Sequence, residues 1–99
     1  MDTQALIEAI ELWGVEKGII PNPDKIAQYL KTCEEVQELS DAILTDSRED
    51  AIDAIGDIVV TLTMQCSAWD TTLEECMQQA YDVISKRTGK MVNGQFVKD

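Results

Sequence analysis

Two runs of carboxylates stand at helical spacing in this sequence: Glu34-Glu35-Val36-Gln37-Glu38 and, further on, Asp53-Ala54-Ile55-Gly56-Asp57. Carboxylates three or four residues apart lie on one face of an α-helix. Two such faces brought together supply the oxygen ligands that a hard divalent cation takes. A cation held this way is suited to binding phosphate groups, so the pattern points toward phosphate chemistry.

Each run must be positioned by a helix, and a helix turns about 100° per residue. Around the first run, Ile26, Leu30, Cys33, Val36 and Ile43 share one side. Lys31, Glu35 and Glu38 fall in a narrow sector on the other side, with Glu34 at its edge and Leu39 bordering it. Around the second run, Asp46, Asp50, Asp53 and Asp57 form one stripe that continues as Val60 and Met64. The opposite side carries Ala51, Ile55, Ile58, Val59 and Leu62, so the second half of this helix is apolar almost all round, as expected of a central helix. A solvated acidic face usually stays polar and mixes in lysines. This stripe has no lysine and runs straight into core-type residues. Like charges without compensation are costly to bury unless a cation joins them. Spacing alone leaves the rival interpretation open, in which both runs are acidic surface faces.

Four helices and a short tail account for the chain. The first is predicted from Thr3 to Lys17, with Leu6, Ile7, Ile10 and Trp13 at helical spacing and Gly18 as its stop. Ile19-Ile20-Pro21 reads as an extended connector. Asn22-Pro23 offers an N-cap and a first-turn proline for a second helix reaching Leu44. Ser47-Arg48-Glu49-Asp50 approximates a capping box for the third helix, which ends near Ala68. Thr71-Thr72-Leu73-Glu74 opens a fourth helix that stops at Thr88-Gly89. The segment Met91–Val97 reads as a hairpin turning at Asn93-Gly94.

The 99 residues allow one domain, and small helical chains of this size often complete their cores by oligomerising. A formal charge of −11 opposes binding to nucleic-acid backbones or anionic membranes. The apolar run from Ile58 to Met64 is too short to span a bilayer, and the N-terminus lacks a signal-peptide pattern. Three cysteines without a CxxC pair, and no histidine, read as reduced structural thiols in a cytoplasmic protein and argue against zinc. An EF-hand fails on spacing, because the stretch around Asp46–Asp50 lacks the loop length and central glycine.

At the two acidic runs the sequence resembles the all-α nucleoside triphosphate pyrophosphohydrolases, in particular the small MazG-like proteins. Glu34-Glu35-Val36-Gln37-Glu38-Leu39 matches the family's E-E-x-x-E segment, and Asp53-Ala54-Ile55-Gly56-Asp57 matches its second acidic segment ending in G-D. The likeness extends over nearly the whole chain, through Trp13, Gln28, Lys31, Tyr81 and the closing Arg87-Thr88-Gly89-Lys90-Met91-Val92-Asn93-Gly94. One departure stands out: many members carry a glutamate three residues before the final aspartate, where this chain has Ala54. Asp53 is the nearest substitute.

The resemblance implies an all-α four-helix chain, residues 1–99 forming one such domain that works as a homodimer or homotetramer. It implies hydrolysis of a nucleoside triphosphate, a dNTP or non-standard NTP, to the monophosphate and pyrophosphate. Mg2+ would be the cofactor, with Mn2+ as an alternative, held by Glu35, Glu38, Asp57 and Asp53. Glu34, Glu35 and Glu38 are the candidate catalytic carboxylates, with Glu34 or Glu38 orienting or deprotonating the attacking water. Lys31, Arg87 and Lys90 are candidate phosphate contacts, and Trp13 and Gln28 candidate contacts to the base. Each has a plainer interpretation: Lys31 pairing with Glu35, Arg87 and Lys90 placed by a helix dipole, Trp13 as core. The alternative function is a non-catalytic nucleotide- or metal-binding or adaptor module on the same fold.

Overall fold

The computed structural model describes residues 1–99. Four helices, α1 (Thr3–Glu16), α2 (Lys25–Leu44), α3 (Arg48–Ala68) and α4 (Leu73–Ile84), precede two short strands, β1 (Gly89–Val92) and β2 (Gln95–Lys98). The strands pair antiparallel about a turn in which Asn93 and Gly94 both have positive φ, as that two-residue turn requires.

Side chains at the helix starts decide the boundaries. Asp2 caps α1 by accepting the Ala5 N–H, Ser47 caps α3 through Asp50, and Thr72 caps α4 through Glu75. Three expected boundaries shift, the cap of α4 among them: it is Thr72, one residue past the Thr71 that opens the expected capping box, because the Thr72 hydroxyl accepts the Glu75 N–H. Asp24, not Asn22, is the N-cap of α2: its carboxylate accepts the N–H groups of both Ile26 and Ala27 at 2.9 Å, a stronger cap than an amide two residues earlier could offer. The fourth helix ends at Ile84 rather than Thr88, because Lys86 and Arg87 close tight turns onto Val83 and Ile84.

Helices α2 and α3 form an antiparallel pair clasped at intervals. Gln65 donates to the Lys25 carbonyl at 3.0 Å, and Trp69 bonds Gln65 while its ring lies beneath the Lys25 ammonium. Midway, the Thr32 and Thr61 hydroxyls meet at 2.9 Å, with Thr61 also donating to the Ile58 carbonyl. Small residues, Ala42 and Ala54, are buried in the two helices and leave room for close approach. Helix α1 packs on α3 where Gly14 lets Met64 in: a Cβ on residue 14 would stand 2.6 Å from the Met64 sulfur. Helix α4 packs only lightly on α3, meeting it where Cys76 faces Cys66, and the two hairpin strands pair with each other.

The apolar side of α2 turns away from this packing. Ile26 and Ile43 are 72% and 68% exposed, with Leu30, Val36 and Cys33 exposed beside them. It is the charged sector of α2 that faces α3, with Glu35 only 8% exposed. On α3 the inward side is Ala54, Thr61 and Met64, while Ile52 and Ile55 are left open. Helix α4 buries no residue at all. A radius of gyration of 15.5 Å, against about 13 Å for a compact chain of this length, reflects the same openness.

By length and mean hydropathy α3 as a whole is apolar enough to cross a membrane, longer than the Ile58–Met64 run suggests. Asp50, Asp53 and Asp57 along its first half, and its clasp with α2, make it the central helix of this fold. Met64, at 1% exposure, is the one large side chain fully enclosed. Met64→Ala is expected to destabilise the chain by roughly 2–5 kcal/mol, read from denaturant unfolding at fixed protein concentration.

Candidate functional site

The inward turn of α2 brings Glu35 and Glu38 against Asp57 of α3. Oxygens from the three carboxylates all lie within 4.8 Å of one another. The threonine contact one turn away, Thr32 to Thr61, holds the two helices in the register that makes this meeting possible. Glu35 is buried, Asp57 half-buried and Glu38 exposed, so the cluster grades from interior to solvent.

Compensation for this charge is thin. The Lys31 ammonium lies 3.0 Å from Glu34 and 4.0 Å from Glu35 Oε1, and more than half of its side chain is exposed. Glu35 Oε2 is enclosed with no hydrogen-bond partner. The neighbouring Glu38 carboxylate, ready to share a proton, raises the Glu35 pKa above the usual carboxylate value; burial and the Asp57 charge push the same way, and Lys31 opposes them. An enclosed, donor-less carboxylate oxygen beside two other carboxylates fits a bound cation. The donor set is all oxygen, which suits a hard ion such as Mg2+ rather than a soft one.

Beside the cluster, α1, the connector after it, α2 and α3 enclose a cleft of about 380 Å³. Its lining combines the charged Lys31, Glu35 and Asp57 with the apolar Trp13, Ile19 and Val60, and adds the Gln28 amide and the Thr61 hydroxyl. Charged groups, an aromatic ring and an amide around one cleft suit a ligand with an anionic group and a flat heterocycle. Trp13 therefore stands at the cleft wall, partly exposed, rather than inside the core.

The sequence-derived residues separate here into three groups. Lys31, Glu35, Asp57, Trp13 and Gln28 line the cleft, and Glu38 joins Glu35 and Asp57. Asp53 turns to a neighbouring acidic cleft shared with Glu38, Asp41 and Asp50, and Glu34 stays on the exposed rim paired with Lys31. Arg87 lies in a shallow groove along α4 with Val83 and Ile84, and Lys90 is on β1; neither lines the cleft of its own chain. Ala54, at 1% exposure, is enclosed one turn from Asp57, where a longer acidic side chain would need room. Thr61 and Ile19 are lining residues that the sequence reading missed. The stripe running from Asp57 through Val60 to Met64 was the only signal pointing along this wall.

Compared with protein-family models, curated proteins and solved structures, the chain shows no match.

Because the folded state raises the Glu35 pKa, Glu35 favours folding when protonated and costs stability as pH rises above its unfolded value of 4.5. Without divalent ions, Glu35→Gln is therefore expected to melt higher than wild type at neutral pH. The gap should shrink as pH falls toward that unfolded value, which thermal melts of both proteins across acidic to neutral pH would show.

Proposed function

We propose that this chain is a Mg2+-dependent nucleoside triphosphate pyrophosphohydrolase of the all-α, MazG-like kind, acting as a homo-oligomer in the cytoplasm. The observation that carries the reading is the three-carboxylate cluster beside a cleft that Glu35 and Asp57 line together with Lys31, Trp13 and Gln28. Glu35, Glu38 and Asp57 would hold the metal, which when bound offsets triphosphate charge and favours ionisation of a water. Glu38, on the solvent side of the cluster, would accept a proton from that water. Lys31 faces the phosphates from the cleft rim. Trp13 flanks the base, and the Gln28 side chain offers it both a donor and an acceptor.

The assembly has its own support. Ile26, Leu30, Val36 and Ile43 on α2, Ile52 and Ile55 on α3, and Met77, Tyr81 and Ile84 on α4 are all exposed in the single chain. So much open apolar surface on so few residues is what an obligate interface between copies covers. Arg87 and Lys90, remote from the cleft of their own chain, would meet phosphate only through such an assembly.

A second reading keeps the fold without turnover: a nucleotide- or metal-binding module. It is favoured by one observation, that Asp53 and Ala54 leave the cluster with three carboxylates rather than four.

Incubation with a panel of dNTPs and non-standard NTPs plus Mg2+ is expected to release pyrophosphate and a nucleoside monophosphate. Glu38→Ala and chelation should each cut the rate by more than about 100-fold. Thermal stabilisation by nucleotide and Mg2+ with no turnover of any nucleotide would favour the binding module instead. In light scattering, the mass should be at least twice the 11.0 kDa of one chain, and Leu30→Lys with Ile43→Lys should reduce it to a single chain.

A further inference from the structure

Away from the carboxylates, two thiols face each other across the junction of α3 and α4. The Cys66 and Cys76 sulfurs are 3.8 Å apart, while Cys33 lies on the exposed side of α2. The turn between them is held from both sides. The Cys66 carbonyl accepts the N–H groups of Trp69 and Thr71, both at 3.0 Å. Thr72 caps α4, and its carbonyl accepts the Cys76 N–H at 3.1 Å. The backbone thus fixes where both cysteines point, and their meeting does not depend on a loose loop.

We propose that Cys66 and Cys76 form a reversible dithiol–disulfide site that pins α4 onto α3. A disulfide needs its sulfurs about 2.05 Å apart, so closing the pair takes an approach of less than about 2 Å. Helix α4 can supply that movement, because it buries no residue and packs only lightly on α3. The chemistry is a two-step exchange with a low-molecular-weight disulfide, RSSR. The Cys76 thiol, on the exposed helix, attacks RSSR; a Cys76–S–SR bond forms and RSH leaves with the proton. The Cys66 thiol then attacks the Cys76 sulfur, the Cys66–Cys76 bond forms, and a second RSH leaves. The protein loses two hydrogens and two electrons, and RSSR is reduced to two RSH. Burial, then the Cys76 thiol beside it, push the Cys66 pKa up to about 11, which leaves the first attack to the exposed Cys76; Cys66 can attack second because its sulfur is held 3.8 Å from that of Cys76.

Closing the bond fixes the angle at which α4, and the Arg87 and Lys90 that follow it, leave the α2–α3 pair. In a reducing cytosol the thiols stay open, and an oxidising shift closes them.

The test is to treat the reduced full-length protein with oxidised glutathione, trap free thiols with an alkylating agent, and map the peptides. The expected result is a Cys66–Cys76 linked peptide with no glutathione on either cysteine, Cys33 the one cysteine recovered alkylated or glutathionylated, and a melting temperature several degrees higher. In Cys66→Ser the reaction should stop with glutathione on Cys76. Three alkylatable thiols after treatment, glutathione persisting on wild-type Cys76, or links running through Cys33 between copies would overturn the proposal. None of these readouts depends on nucleotide turnover, so they stand or fall separately from the proposed activity.

Discussion

The carboxylate of Glu35, enclosed between α2 and α3 with one oxygen lacking any donor, sets the terms for the rest of the structure. Burying an ionised group without a full set of partners costs several kcal/mol in principle. Here two further carboxylates stand beside it instead of a matching cation, and the single lysine nearby is half in solvent. The helices meet at this point anyway, because the threonine pair, the Gln65–Lys25 clasp and the enclosed alanines fix their register. Stability is given up at one place so that three oxygen ligands converge. That is the pattern expected where a site, rather than a core, dictates side-chain choice.

The same constraint explains the unusual distribution of apolar surface. A helix pair that spends its mutual face on carboxylates, threonines and alanines has little room there for isoleucine and leucine. Those residues sit on the backs of α2 and α3 and along α4, leaving the isolated chain open and extended. Charge inside and hydrocarbon outside is unstable for a lone small domain. It becomes reasonable when the outer faces are covered by further copies of the chain, and the acidic faces are then left as the walls of clefts.

The elements were legible in the sequence because their signals are local. Ser47 caps the helix it was expected to cap, Thr72 caps α4 one residue after the expected Thr71, Gly18 ends α1 with a positive φ, and Asn93-Gly94 makes the hairpin turn. Asp24 displaced Asn22 because two caps competed within three residues, and only the one bonding two N–H groups wins. The convergence of Glu35, Glu38 and Asp57 followed from spacing plus the expectation that the two acidic faces meet. What periodicity could not supply was which side of α2 faces inward: hydropathy alone would bury Ile26, Leu30 and Ile43. Asp53 and Asp57 share a stripe on a wheel but are one turn apart along the axis. That is enough for one to join the cluster and the other to open onto the next cleft. Thr61 and Ile19 were invisible because their role arises only when three elements close around the cleft.

The central claim is that Glu35, Glu38 and Asp57 together hold a divalent cation, and calorimetric titration with Mg2+ tests it most directly. The account predicts saturable binding at neutral pH, because the cation supplies the counter-charge that the three converging carboxylates lack. It also predicts weaker binding at mildly acidic pH and loss of binding in Glu35→Gln. Binding that is absent in the wild type, or that survives unchanged in Glu35→Gln, would contradict it.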